Sequence, residues 1–290
     1  MYLNQLINPL LQMPIKLNPE INAIVYDSRK VSTGNVYVAI KGVHSDGHQY
    51  VPQAIAQGAS AIVCSQEWAQ DKVLNSDVAW IPVSDTRETL ALFSAAFYGH
   101  PSQAMKMIGI TGTNGKTTIT HLLTQLLTLL KQDSGWIGTL GAGYKDLKLP
   151  GQYTTPFPPE LQDWLKQMQS ADLQQVVMEC SSHALEQRRL DGVGFDLAVY
   201  TNLSQDHLDY HENMQAYAAA KQLLFSRLLM PEGRAIINLN DEYAPAFIDA
   251  SSAPVFTYAI DTPADLRAFE AQQTQEGLCF SLEYQGQIYP

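Results

Sequence analysis

Ile108-Gly109-Ile110-Thr111-Gly112-Thr113-Asn114-Gly115-Lys116-Thr117-Thr118 joins an apolar run to a long helical pattern. The run from Met105 to Thr111 reads as a strand, and Gly115 to Lys131 reads as a helix. Between them, Gly112 and Gly115 let the backbone curl with its N–H groups turned inward. The helix N-terminus adds the positive end of its dipole, which suits an anion. Lys116 can reach the terminal phosphates of a nucleotide, and Thr117 offers a hydroxyl to Mg²⁺. The usual pattern G-x-x-x-x-G-K-[ST] has a glycine where this chain has Ile110; here the glycine stands at Gly112, giving G-x-x-G-K-T-T. The bland alternative is a turn that contains Gly-Lys by chance. The strand before and the helix after favour the phosphate loop.

Working outward, residues 106–260 repeat strand and helix. SGWIGT, QQVVMECSS, LAVYTNLS and GRAIINLND read as strands. PPELQDWLKQMQSA, with proline in its first turn, and MQAYAAAKQLLFSRLL read as helices. Leu122, Leu126, Leu129 and Leu130 fall on one face of the helix after the loop. A polar stretch rich in Gly and Lys after Thr139 reads as a loop. Runs such as VVM and LAVY lack polar alternation, which suits strands buried on both faces of a parallel sheet. From about Leu266 the pattern changes to two antiparallel strands turning near Gln275–Gly277, and GQIYP can open a third. Upstream, NAIVYDSR, NVYVAI, SAIVCS and AWIPV are strands, YVPQAIAQGA is a short helix, and TRETLALFSAAFYG is a helix with Asp85 or Thr86 as N-cap and Gly99 as C-cap. Pro101 follows, and the domain boundary is placed there, giving 1–103 and 104–290. The expected fold is α/β: a small N-terminal α/β domain, then a mostly parallel-sheet phosphate-loop ATPase domain.

Composition narrows the function. The chain has 290 residues, 46% hydrophobic and 16% charged, enough to bury a core in two domains. Eighteen Lys and Arg against 29 Asp and Glu leave a net charge of −11, which argues against general nucleic-acid binding. An anionic ligand must therefore be held by local features. Cys64, Cys180 and Cys279 are far apart and match no zinc spacing, so a reducing compartment is expected. No signal peptide and no run of roughly 20 apolar residues is present, so no membrane partner is expected and the expected location is cytoplasmic.

Two further strands end in polar clusters. Glu179 closes VVMEC and is followed by Ser181, Ser182 and His183; Asn202, Asp206, His207, Asp209 and His211 follow AVYT. In a doubly wound sheet, ligands lie outside the carboxyl ends of the strands, where the phosphate loop also lies. Glu179 is placed as a Mg²⁺ ligand rather than a salt-bridged strand end. His207 and His211, four apart, are either a metal pair or helix caps; His207 is favoured as functional and His211 stays open. His183, His121 and His100 read as structural. Lys221 sits in YAAAKQLLF, and its ordinary reading is a snorkelling lysine. A buried amine near a metal can instead lose its proton and add CO₂ as a carbamate.

The segments 111–118, Glu179-Cys180-Ser181-Ser182-His183 and Thr201-Asn202-Leu203-Ser204-Gln205-Asp206-His207-Leu208-Asp209-Tyr210-His211 together resemble the Mur ligases. Asp27-Ser28-Arg29, the segment 42–47 and Thr154-Thr155-Pro156 resemble the member that adds the third residue of the peptidoglycan stem peptide. The resemblance covers the whole chain. It implies ATP-dependent amide ligation: the D-glutamyl carboxylate of UDP-MurNAc-L-Ala-D-Glu takes the γ-phosphoryl group. The acyl phosphate then reacts with the amine of a diamino acid, meso-diaminopimelate or L-lysine.

Carried over residue by residue, the resemblance gives Gly112, Thr113, Asn114, Gly115, Lys116, Thr117 and Thr118 to ATP. Thr117, Glu179 and His207 go to Mg²⁺, Asn238 to adenine, and Lys221 to the carbamylated lysine. Tyr26, Ser28, Val43, His44 and Ser45 are implied on the uridine side, with Tyr26 and Val43 acting mainly through backbone. Thr154, Thr155, Ser181, Gln187 and Arg189 are implied as further substrate contacts. Tyr153 stands where some members have asparagine, and that contact is not carried over. The family has a third, Rossmann-like domain with an Asp-Asn-Pro-Arg motif. This sequence lacks that motif, so the chain is expected to be truncated before that domain and inactive alone. Two alternatives remain: a nucleotide- and UDP-sugar-binding module without turnover, and a ligase like folylpolyglutamate synthetase. The latter families begin near the phosphate loop, so residues 1–103 argue against it.

Overall fold

Strands buried on both faces organise the chain into two sheets, one of four strands and one of eleven. The computed structural model describes residues 1–289 except 9, 12, 13, 15, 43, 44, 71, 74–76 and 276. It divides into two units. The first comprises Met1–Pro101, Pro156–Gln167 and Gln187–Val193; the second comprises Ser102–Thr155, Met168–Glu186 and Gly194–Pro290.

In the first unit, α1 (Leu3–Ile7), β1 (Ala23–Val25), β2 (Asn35–Val38), α2 (Val51–Ala56), β3 (Ala61–Ser65), α3 (Gln66–Gln70), β4 (Ala79–Val83) and α4 (Thr86–Phe97) follow in order. The four strands pair in parallel in the order β1-β2-β3-β4. Period-two alternation splits the core. Val36, Val38 and Val63 pack with Leu3, Leu6, Leu90 and Phe93 on one face. Tyr37, Ile62 and Cys64 pack with Val51 and Ala54 on the other. Each such aliphatic or aromatic side chain contributes about 1.5–3 kcal/mol when fully buried. Asp85 caps α4 by accepting the N–H groups of Arg87 (2.9 Å) and Glu88 (3.1 Å). Gly99 follows the helix with φ +75°, a left-handed conformation that glycine adopts without cost.

The second unit contains β5 (Lys106–Thr111), α5 (Lys116–Leu129), β6 (Ser134–Gly138), β7 (Gly141–Tyr144) and β8 (Leu147–Leu149). Then come α6 (Pro158–Ser170), whose residues through Gln167 belong to the first unit, β9 (Gln175–Glu179), α7 (Ser182–Glu186) and β10 (Phe195–Tyr200). They are followed by α8 (Leu208–His211), α9 (Met214–Leu223), β11 (Leu229–Asn238), α10 (Ala244–Ala250), β12 (Val255–Ile260), β13 (Leu266–Gln273), β14 (Leu278–Tyr284) and β15 (Gln287–Tyr289). The sheet order is β15-β14-β13-β12-β11-β10-β5-β9-β6-β7-β8. Strands from β13 through β6 run parallel, and both ends of the sheet are antiparallel. β5 therefore lies between β9 and β10, in a register that sets Ile110 opposite Glu179 and Thr111 opposite Tyr200. Among the described residues no helix is long and apolar enough to cross a membrane.

Besides helices absent from the sequence reading, such as α1, α3 and α10, three elements differ from it. The Gly- and Lys-rich stretch after Thr139 is the hairpin β7–β8, which extends the sheet edge beyond β6. The helix from Met214 stops at Leu223 and passes through a wide π turn, Leu224–Leu228, before β11. The leucine face of α5 points outward: Leu122, Leu126, Leu129 and Leu130 are 53–80% exposed. The helix instead buries Thr120, Thr124 and Leu127 and packs Ile119 and Leu123 on Ile108, Ile110, Val177 and Val199. Both stripes share the helical period. Thr124 can sit inside because its hydroxyl bonds back along the helix to Thr120 C=O at 2.7 Å; the Thr120 hydroxyl is buried without a partner among the described residues.

Candidate active site

The adjacency of β5, β9 and β10 sets their carboxyl ends side by side, and a cavity of about 340 Å³ opens there in the second unit. It is lined by residues 113–118 of the loop with Thr139, Thr154, Glu179, Ser181, Ser182, His207 and Lys221.

The loop is shaped by its glycines and latched from the next strand. Gly112 has φ +147° and Gly115 has φ +87°, both left-handed. A Cβ at Gly112 would fall on Thr201 Oγ1, so only glycine fits. Past β10, the Asn202 carbonyl accepts Thr113 N–H at 2.8 Å, and Asn202 Oδ1 accepts Asn114 N–H at 3.0 Å. Thr201 Oγ1 donates to Asn114 C=O at 2.7 Å, and Ser204 N–H donates to Thr113 Oγ1 at 3.0 Å. Lys116 folds over the loop and donates to the carbonyls of Gly112 and Thr113, each at 2.9 Å. Burial lowers its pKa, which Glu179 and Asp206 partly oppose.

Glu179 is only 1% exposed, yet its carboxylate is held by neutral donors alone. Thr117 Oγ1 donates to Oε2 at 2.9 Å, Thr139 N–H to Oε1 at 2.9 Å, and Thr139 Oγ1 to Oε2 at 3.2 Å. Gly138 makes room, since a Cβ there would fall on Glu179 Oε1. Behind it, the Thr155 hydroxyl donates to Glu179 C=O at 2.8 Å and accepts Ser181 N–H at 3.1 Å. A buried carboxylate with no ion pair among the described residues, beside a hydroxyl and an anion loop, matches the donor set Mg²⁺ uses with substrate phosphates.

Lys221 is 1% exposed, so the snorkelling reading fails. Its Nζ donates to Gly112 C=O at 2.8 Å and lies 4.4 Å from the Tyr217 ring centroid. Burial first, then the Lys116 charge, push its pKa from 10.5 down to about 6, so the amine is largely neutral near pH 7.

The histidines separate into two roles. His207 caps α8 with φ +54°, is about half exposed, and lines the cavity. His211 is buried, with Nε2 2.9 Å from Ser182 Oγ and Nδ1 3.1 Å from Glu186 Oε2. Burial, with nearby His183 and Lys221, lowers its pKa to about 4. Both ring nitrogens are engaged, so His207 and His211 do not form a metal pair. Among the described residues no group of three His, Cys, Asp or Glu could hold a metal. His183 packs between these rings, 4.9 Å from His207 and 5.3 Å from His211, and His121 packs on Trp136.

Asn238 lies outside the cavity lining. Its Nδ2 donates to Thr201 C=O at 2.7 Å and its Oδ1 accepts Asn240 N–H at 3.0 Å, tying β11 to β10. Tyr26, Ser28, Gln187 and Arg189 belong to the first unit. Ser28 is buried with Oγ 3.4 Å from Gln53 Oε1. The Tyr26 ring stacks on Phe157 at 4.5 Å, and its hydroxyl donates to Glu160 Oε1 at 3.2 Å. Arg189 donates to Gln187 Oε1 from Nε (3.1 Å) and Nη2 (2.7 Å). Ser45 is exposed, and its carbonyl accepts Gly42 N–H at 2.9 Å. Val43 and His44 lie outside the described residues. Sequence reasoning missed Thr139 and Gly138; a Gly-Thr pair at a strand end was visible, but only the pairing of β6 with β9 aims it at Glu179.

A profile of the Mur ligase middle domain matches residues 110–289, and one described as the Mur ligase family catalytic domain matches residues 20–98. The UDP-N-acetylmuramoyl-L-alanyl-D-glutamate–2,6-diaminopimelate ligase of Geobacillus thermodenitrificans is 40% identical over 270 residues, 91% of this chain and 54% of that protein. The ligase of the same name from Bacillus cereus is 39% identical over 289 residues, 97% of this chain and 58% of that protein. A solved structure of a ligase of that name superposes with TM-score 0.78 at 30% identity, covering 93% of this chain and 55% of the other. The chain thus spans about half the length of the curated relatives it matches. A Mycobacterium tuberculosis folylpolyglutamate synthase complexed with ADP shares the fold over 70% of this chain, at TM-score 0.55 and 19% identity. Loop, buried glutamate, flanking strands and sequence profiles coincide on the same residues, and the chain belongs to the Mur ligase family, with its N-terminal and middle domains.

Proposed function

We propose that this chain supplies the ATP-binding and sugar-nucleotide-binding parts of a ligase that joins meso-diaminopimelate to UDP-MurNAc-L-Ala-D-Glu in peptidoglycan precursor synthesis. The observation that carries it is Glu179: a buried carboxylate, pinned by Thr117 and Thr139 and with no ion pair among the described residues, at the mouth of the phosphate loop. The names of the relatives supply the choice of diaminopimelate over L-lysine.

The reaction read here moves the γ-phosphoryl group of ATP to the D-glutamyl carboxylate, and the diamino acid amine then displaces phosphate from the acyl carbon. Carboxylate and triphosphate repel, so the site must neutralise charge before the oxygens can approach. Thr117, Glu179 and His207 would hold Mg²⁺, which when bound would supply part of that positive charge. Lys116 supplies more by exchanging its two loop carbonyls for phosphate oxygens. The N–H groups of residues 115–118 orient the phosphates, with those of Thr113 and Asn114 holding the loop to Asn202, and Asn238 serves the adenine side. The neutral amine of Lys221 can add CO₂ and release a proton, and the resulting carbamate would be an anion able to help hold a bound metal.

In the first unit, Tyr26, Ser28, Val43, His44, Ser45, Gln187 and Arg189 serve the sugar nucleotide; in the second, Thr154, Thr155 and Ser181 do. A second reading is a binding module that does not turn over alone, since the chain spans 54% of a relative that carries the ligase name. A folate-type ligase is disfavoured because the first unit also matches a Mur ligase profile. Calorimetry of the folded chain with UDP-MurNAc-L-Ala-D-Glu is expected to show saturable binding. A folded chain giving neither heat nor thermal shift would remove the substrate assignment.

A further inference from the structure

Phe157 lies between Pro156 and Pro158, followed by Pro159. A residue before proline is confined to extended backbone, and the preceding proline fixes its own φ, so this ring stands on a stiff stretch of chain. Phe157 C=O accepts Leu161 N–H at 2.9 Å, which anchors it to the first turn of α6. Two groups rest on the ring. Tyr26, just past β1, stacks on it at 4.5 Å with planes 19° apart. The Arg189 guanidinium carbon lies 4.0 Å from the ring centroid. The hydroxyl of Tyr26 is in turn held by Glu160, on α6, the helix that Phe157 immediately precedes. All of these residues lie in the first unit.

Arg189 is 8% exposed, so its cation is mostly withdrawn from water. A guanidinium stacked on an aromatic face gains electrostatically from the ring and stays planar to it, with more effect where water is excluded. Gln187 Oε1 fixes one edge of the fork through Nε and Nη2. Ring and amide thus both hold the guanidinium, one with its centroid 4.0 Å from the guanidinium carbon and the other through two N–H groups.

We propose that Phe157 is a positioning residue for the sugar-nucleotide substrate, which aligns Arg189 by stacking and joins it to Tyr26 in one column. The inference rests on the proposed substrate reading for Tyr26 and Arg189. An aliphatic side chain of similar volume fills the space but offers no π face, so the ring's chemistry can be separated from its bulk.

The test is calorimetric titration of the full chain and its Phe157→Leu, Phe157→Tyr and Arg189→Ala variants with UDP-MurNAc-L-Ala-D-Glu. ADP with Mg²⁺ is the control ligand. Phe157→Leu is expected to weaken sugar-nucleotide binding about tenfold, within the range for a desolvated cation–π contact, and to leave ADP binding unchanged. Phe157→Tyr is expected to bind like the parent. In the Arg189→Ala background, Phe157→Leu is expected to add little further loss, because the stacked partner is gone. Parent-like binding by Phe157→Leu, or an equal loss with and without Arg189, overturns the positioning role while the substrate reading stands. A parent chain that binds ADP but not the sugar nucleotide overturns both. Loss of ADP and sugar-nucleotide binding together in Phe157→Leu identifies a folding role and overturns the inference.

Discussion

Two lysines converge on one backbone carbonyl, that of Gly112, and the consequences differ. Lys116 lines the cavity and has loop carbonyls to exchange for phosphate. In a protein with the full length of its relatives, Lys116→Ala is expected to lower phosphoryl transfer on the order of 10²–10³-fold, with the unfolding midpoint kept. Near-parental turnover would contradict the loop's role. Lys221 is costly to bury. With its folded-state pKa near 6 against 10.5, the unfolded chain binds a proton that the folded chain lacks between those values. Stability must therefore rise with pH from about 6 to 10.5. Lys221→Met removes that dependence without stranding Gly112, whose carbonyl keeps Lys116. Urea unfolding in CO₂-free buffer is expected to show the variant more stable than the parent at pH 7, with a flatter pH profile. A parent that does not gain stability over this range would show that Lys221 is not buried as a neutral amine. At this scale Lys116, Thr117, Glu179 and His207 were legible because their chemistry is local to strand ends. Lys221 was not, because a lysine among alanines looks the same whether its helix faces sheet or solvent.

At the scale of elements, α5 shows where periodicity runs out. Leucines at 122, 126, 129 and 130 and the set Ile119, Thr120, Leu123, Thr124 and Leu127 follow the same spacing. The buried set lies inside with Ile119 and Leu123 packed on the sheet and the Thr124 hydroxyl satisfied within the helix, while the Thr120 hydroxyl is buried without a partner among the described residues. Leu126→Lys is therefore expected to change stability by less than about 0.5 kcal/mol, as exposed substitutions do. Leu127→Ala should cost about 2–3 kcal/mol, the range for a buried leucine at the edge of a core. Denaturant midpoints of the two variants check the order, and a reversed order would place the leucine face inside. The β7–β8 hairpin was illegible for a related reason. Gly141, Gly143 and Lys148 look like loop residues, but β6 gives them a strand to pair with.

For the whole molecule, the parallel core of the larger sheet was legible, since β5, β9, β10 and β11 are apolar runs that only a doubly covered sheet accommodates. Strand order was not, and order is what sets Glu179 beside the loop. Nor could the sequence show that segments 156–167 and 187–193 fold with the first unit, carrying Phe157 and Arg189 to Tyr26. The central claim is that the cavity at the ends of β5 and β9 binds a nucleotide through a magnesium ion held by Glu179. Calorimetric titration of a non-hydrolysable ATP analogue into the chain and its Glu179→Gln variant, with and without Mg²⁺, tests it most directly. The amide keeps the volume; its oxygen can still accept Thr139 N–H and its NH₂ can donate to the Thr117 hydroxyl, but it carries no charge. The parent should bind more tightly with Mg²⁺, and the variant should lose that gain, about tenfold or more in affinity. Equal Mg²⁺ dependence in parent and variant would contradict the account.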